Sequence, residues 1–166
     1  MNTIDEAGIL ALATRLQRLS EKIRAQGTAI YNACGISFDP KWFPVIYALH
    51  KKGVLSVVEL AQEIGYTHPS TISLLKELTR NKLVRSKKDP GDDRRRLLYL
   101  SSAGLTLVDH MKPVWNLIIQ AITKVTDTKN NLFKAIEEVE ERVNRSEILT
   151  IALSLPRAKE SVGKSA

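Results

Sequence analysis

The chain has 166 residues, 43% of them hydrophobic, with 25 basic against 18 acidic side chains and a net charge of +7. That apolar content excludes global disorder, and no apolar run approaches the ~18 residues that span a bilayer. Cys34 is the only cysteine, so no internal disulfide can form. The acidic opening "MNTIDEAG" is unlike a secretory leader, and a cytoplasmic, non-membrane protein is expected.

In chain order, Ile9, Leu12, Leu16, Leu19 and Ile23 recur at helical spacing and predict one long helix with a narrow apolar seam. Such a seam suits either another chain or the rest of its own domain. Gly27 and "CGISFDP" (Cys34–Pro40) interrupt the pattern. Asp39-Pro40 then reads as the cap and first residue of a short helix, "KWFPVIYALHKK", closed by Gly53.

"SVVELAQEIG" (Ser56–Gly65) opens with a capping box, Ser56 and Glu59, and ends on a glycine suited to the left-handed cap. A further helix starts at about His68 with Pro69 in its first turn. Thr71, Leu74, Leu75 and Leu78 form its inner face, while Ser70, Ser73, Glu77 and Arg80 lie opposite with Lys76 on the flank. Two short helices joined by a tight glycine turn, the second polar outside, make a helix-turn-helix.

After Asn81 the period changes. "LVRSK" and "LLYLS" are of strand length, and "DPGDD" between them carries strong turn chemistry. A β-hairpin directly after the second helix is a wing. Residues 80–96 carry eight basic against three acidic side chains, so +5 of the net charge of +7 sits there. A basic patch this focused points to a polyanion, nucleic acid first and an anionic membrane second, with a solvated charged loop as the plainer reading. Beyond the wing, Leu105, Val108, Trp115, Ile119 and Ile122 predict a helix running through Pro113, and Leu132, Ile136, Val139 and Val143 mark a last one. "SEILTIALSLP" extends or follows it.

The fold class is therefore mainly α with a small β-hairpin wing: a winged helix-turn-helix DNA-binding lobe plus a helical dimerisation lobe from both termini. The expected boundaries are 1–36 for the N-terminal dimerisation helix and 37–104 for the DNA-binding lobe. Residues 105–156 complete the dimerisation lobe, and 157–166 form a frayed tail.

Three stretches, "SFDPKWFPVIYAL" (Ser37–Leu49), "HPSTISLLKELTRNKLV" (His68–Val84) and "DPGDDRRRLLYLSSAG" (Asp89–Gly104), resemble the MarR family of bacterial transcription regulators. By position, Asp92 and Arg94 match the paired aspartate and arginine of that family's wing, and Leu100–Gly104 its closing segment. Ser101 stands where threonine is usual. Lys82 stands where glycine is usual, which shifts the left-handed cap onto Asn81. Ile72 falls where a small polar residue is common.

The resemblance implies a homodimer on a near-palindromic operator. His68, Ser70, Ser73 and Lys76 are then expected at base edges or phosphates, and Thr67 at the backbone; exposed serines are the plainer reading of the two hydroxyls. Arg94 is expected in the minor groove, oriented by Asp92. Lys87, Arg95 and Arg96 are further DNA-binding candidates, and strand alternation lets only one of those two arginines share the direction of Arg94. The resemblance also implies a small-molecule effector, with Tyr31, Trp42, His50 and Trp115 as candidate lining residues; core aromatics are the plainer reading. Cys34 has no basic sequence neighbour and reads as an inert thiol. The scattered histidines lack metal-ligand spacing and no cofactor motif is present, so neither metal, cofactor nor enzymatic activity is expected. An architectural DNA binder and a winged-helix protein-interaction module are the alternatives.

Overall fold

The structure, a computed structural model, describes residues 2–156 apart from the side chains of Asp93 and Arg94; the expected tail, 157–166, lies outside the described residues. It divides into two compact units, one spanning Met1–Ile119 and the other beginning at Gln120.

In the first unit, the N-terminal seam does not lie on one helix. A short α1 (Thr3–Glu6) and a 3-10 turn (Gly8–Ala11) precede α2 (Leu12–Ala33). Ile9 therefore lies in the 3-10 turn and the rest of the seam in α2, while Gly8, left-handed at φ +59°, opens the turn after α1. Gly27, expected to interrupt the pattern, lies inside α2 with Pro40 close by: an added Cβ there would stand 3.4 Å from the proline ring. Asp39 caps a 3-10 turn (Pro40–Trp42) by accepting from the Lys41 N–H, and α3 (Phe43–Lys52) follows, ending at Gly53 with φ +82°.

The helix-turn-helix is α4 (Val57–Ile64) and α5 (His68–Arg80). The capping box at Ser56 and Glu59 is formed, and Gly65 is left-handed at φ +68°. The Tyr66 N–H bonds back to the Ala61 carbonyl, closing the turn. Thr71, Leu74, Leu75 and Leu78 are all buried. At the end of α5, Lys82 itself takes the left-handed position (φ +57°), whereas Asn81 has φ −81°. The cap predicted for Asn81 is thus displaced by one residue. The reason is the bonding register: the Leu83 N–H returns to the Leu78 carbonyl and the Lys82 N–H to Thr79, which puts the reversal on Lys82.

The wing pairs β2 (Val84–Asp89) with β3 (Asp92–Leu100). Pairing runs out to Asp89 opposite Asp92, with an irregularity between Lys88 and Asp89. The connection is therefore the pair Pro90-Gly91 rather than all of "DPGDD". Sequence reading also missed β1 (Leu55–Ser56), which pairs with Leu97 and Leu98 to make an antiparallel sheet in the order β1-β3-β2. Two residues are too short for any alternation to register.

Helix α6 (Ser102–Thr126) runs through Pro113. Its buried face is Gly104, Val108, Met111 and Val114; Leu105 and Ile119, expected on the inner stripe, are exposed. The face turned because Gly104 is drawn under Leu83, and helical spacing carries the remaining positions with it. The core gathers Tyr31, Phe38, Ile46, Leu49, Leu60, Leu78, Val84, Leu98 and Met111.

In the second unit, α7 (Leu132–Arg145) is capped by the Asn131 side chain, which accepts from the Lys134 N–H, and α8 (Ile148–Ser154) follows. Ile136, Val139 and Val143 of α7 are exposed, as are Ile148, Leu149, Ile151 and Leu153 of α8. Among the described residues, no helix is long and apolar enough to cross a membrane.

Candidate nucleic-acid interface

Helix α5 begins with its donors turned outward. Thr67 caps it, its hydroxyl oxygen accepting from the Ser70 N–H and the hydroxyl donating to Ser70 Oγ at 2.9 Å. His68, Ser70, Ser73 and Lys76 are exposed along the face opposite the buried stripe. The result is a helix N-terminus, where the backbone dipole favours anions, fronted by side chains that donate hydrogen bonds.

Glu77 departs from the outer placement expected of it. Its carboxylate accepts from Trp42 Nε1 at 2.9 Å and pairs with Lys41 Nζ at 2.8 Å. Lys41 and then Trp42 hold its carboxyl below the usual range.

The wing lies beside α5. His68, Asp92, Arg95 and Arg96 line one open groove of about 510 Å3 together with Ser56–Glu59 from the start of α4. Arg95 and Arg96 go to different partners. Arg95 pairs with Glu59 Oε1 at 2.5 Å and with Asp89 Oδ2 at 3.6 Å, whereas Arg96 donates to Ser86 Oγ at 2.9 Å. Lys87 lies over the Tyr99 ring, 5.9 Å from its centre. The side chain of Arg94, expected in the minor groove, lies outside the described residues; its backbone belongs to β3.

Glu59 serves two elements at once. It accepts from the Ser56 N–H as part of the capping box and reaches Arg95 on the wing. These contacts hold its carboxyl down to about 2, the Ser56 backbone contributing most and Arg95 next. Sequence reading found the local half, because the Ser-x-x-Glu spacing shows it, and missed the wing half, because 36 residues separate Glu59 from Arg95.

The closing segment of the wing shows why it has its residues. Ser101 Oγ accepts from the Gly104 N–H at 3.0 Å and donates to the Lys82 carbonyl at 2.6 Å. A Cβ on Gly104 would fall 2.3 Å from the Leu83 carbonyl oxygen, so only glycine fits. Ser101 and Gly104 thereby tie the start of α6 to the junction between α5 and the wing.

The four aromatic candidates fall into one connected cluster. Trp115 Nε1 donates to the Tyr31 hydroxyl at 3.0 Å. Tyr31 meets Phe38 edge-on at 4.9 Å, and Phe38 meets Trp42 at 5.9 Å. Trp115 contacts Phe43, Tyr47 and His50 at 5.8, 5.6 and 6.2 Å. Burial pushes the Tyr31 hydroxyl above its usual value. A second groove, elsewhere, runs past Cys34, Ile36, His110 and Leu117; Cys34 is exposed.

A helix-turn-helix followed by a hairpin, with a short strand ahead of it completing the sheet, defines a winged-helix fold. The sequence model described as the MarR family matches residues 36–95 of this chain. No curated protein matches the chain. Among solved structures sharing the fold, PcaV from Streptomyces coelicolor, in complex with its natural ligand, is 20% identical with a TM-score of 0.64, covering 88% of this chain and 99% of its own. A mutant MarR from E. coli complexed with operator DNA is 18% identical at TM-score 0.62, covering 86% and 99%. BpsR from Bordetella bronchiseptica, whose DNA binding is regulated by 6-hydroxynicotinic acid, is 20% identical at 0.57, covering 77% and 98%.

Proposed function

We propose that this protein is a sequence-specific transcriptional regulator, a repressor that binds a near-palindromic operator as a homodimer and is released by a small apolar or aromatic effector. The observation that carries the reading is an exposed, donor-rich N-terminal half of α5 beside an arginine-rich wing, with His68 at the start of α5 lining one groove with Arg95 and Arg96. DNA-bound and ligand-regulated proteins of the same fold support it.

In this reading two copies of α5 enter successive major grooves, about 34 Å apart. His68, Ser70, Ser73 and Lys76 meet base edges or phosphates, Thr67 meets the backbone, and Lys87 and Arg96 meet phosphates. Arg95 acts chiefly by fixing the wing, since Glu59 and Asp89 already hold it. Arg94 enters the minor groove, a role that rests on its place in the motif. The exposed seams of Leu12, Leu16, Leu19 and Ile23, and of Ile136, Val139 and Val143, supply apolar surface for dimerisation. An effector would act by inserting among Tyr31, Trp42, His50 and Trp115, at the expense of the ring contacts they now make.

The test is the salt dependence of binding to a duplex that the protein itself enriches from a random pool. Arg94→Ala should bind more weakly and reduce the slope of log affinity against log salt by about one. Parental binding at every salt concentration would remove Arg94 from the interface. Equal affinity for enriched and scrambled duplexes would make the protein an architectural binder instead.

A further inference from the structure

We infer that Glu77 is a positioning residue for DNA recognition: it anchors the recognition helix α5 to the segment linking α2 and α3, through Trp42 and Lys41. The inference rests on the DNA-binding reading above and deepens it.

The apolar seat of α5, made by Thr71, Leu74, Leu75 and Leu78, fixes the helix against the core but has little directionality. A helix held only by such a face can slide or roll at small cost. The contacts to Glu77 are directional. The Trp42 indole N–H donates at 2.9 Å and the Lys41 ammonium at 2.8 Å, and both come from outside the helix-turn-helix. Lys41 is itself held, because Asp39 caps its backbone N–H at 3.0 Å and pairs with its ammonium at 3.2 Å. Both donors therefore sit on a braced turn rather than on free side chains. Lys41 and Trp42 also keep the Glu77 carboxyl below its usual range, as an anchor in its ionised form requires.

The anchor also ends a continuous packed path. Trp42 meets Phe38, Phe38 meets Tyr31, and the Tyr31 hydroxyl accepts from Trp115 on α6. A change in the aromatic cluster thus has a direct mechanical route to the roll of α5, ending on one carboxylate.

Charge alone and anchoring predict opposite signs. Glu77 is an acid on the helix that meets DNA, so removing its charge should tighten binding to any duplex by easing phosphate repulsion. If it anchors α5, removing it should weaken binding to the recognised sequence and leave non-specific binding nearly unchanged. The experiment compares the parent with Glu77→Ala, Glu77→Gln and Trp42→Phe. Fluorescence anisotropy reads binding to a duplex enriched from a random pool by the parent and to a scrambled duplex. In parallel, the Trp42 indole 1H–15N resonance is followed, assigned by its loss in Trp42→Phe.

Glu77→Ala and Trp42→Phe should each lose about tenfold in affinity for the enriched duplex and change little on the scrambled one. The indole resonance should move in Glu77→Ala. Glu77→Gln, which keeps an oxygen to accept the indole N–H, should hold that resonance and lose less than Glu77→Ala. Trp42→Phe alters no charge, so it decides alone if Glu77→Ala fails to fold. Unchanged or tighter binding by Glu77→Ala, an unmoved indole resonance, or parental binding by Trp42→Phe would each overturn the anchor. A parent that enriches no duplex would instead overturn the DNA-binding reading, a failure seen in the parent and not in the variants.

Discussion

Lys82 takes a left-handed conformation that costs a side-chain-bearing residue about 1 kcal/mol and glycine almost nothing. Lys82→Gly should therefore raise stability by about 0.5–1 kcal/mol in urea denaturation, since the cap bonds are made by backbone atoms and survive the change. A destabilised Lys82→Gly would show that the lysine side chain has a role its cap geometry does not reveal. Gly104 is the converse case. Gly104→Ala forces a methyl to within 2.3 Å of the Leu83 carbonyl oxygen and should cost about 3 kcal/mol or more. Ser101→Ala, which strips two hydrogen bonds at the same junction, should cost about 1–2 kcal/mol. Sequence patterns reach such residues when the chemistry is local. The Ser56–Glu59 box and the glycine cap at Gly65 were legible because each needs only its own helix. The left-handed Lys82 was placed one residue early because asparagine has the better intrinsic tolerance, and the register set by Leu83 outweighs that preference.

At the scale of elements, the wing is pinned to α4 by Glu59 and Arg95. The folded-state carboxyl of Glu59 lies at about 2 against a usual 4.5, held by the Ser56 backbone and Arg95. A depressed carboxyl binds its proton more readily when unfolded, so its contribution is fully present above about 4.5 and is lost as pH falls toward 2. Asp5, Glu77 and Asp109 are shifted in the same direction, so the comparison must be differential. The urea midpoint of the parent should fall more steeply through that window than that of Glu59→Gln, which keeps an accepting oxygen and cannot titrate. Parallel pH profiles would mean the pair contributes nothing. The hairpin itself was legible from its two apolar runs and the turn between them. The strand β1 was not, and the inner face of α6 was misread, because a buried glycine counts for nothing in an apolar pattern although it sets the helix's rotation.

For the whole molecule, Leu16 and Leu19 on α2 and Val139 and Val143 on α7 leave apolar side chains in solvent. Their periodicity was plain in the sequence; its continuity was not, since Ile9 falls in a 3-10 turn ahead of α2. If these seams form a homodimer interface, Leu16→Glu or Val139→Glu should weaken dimerisation by at least about tenfold in sedimentation velocity and lower operator affinity with it. A parent that sediments as a monomer at working concentration would remove the two-fold geometry on which the proposed operator recognition depends. The central claim is sequence-specific DNA binding, and fluorescence anisotropy of the parent on its enriched duplex against a scrambled one, across a salt series, tests it most directly. Preference of at least about a hundredfold, at one dimer per duplex and with affinity falling steeply in salt, is the expected result. Equal affinity for the two duplexes, or no binding at low salt, would contradict it.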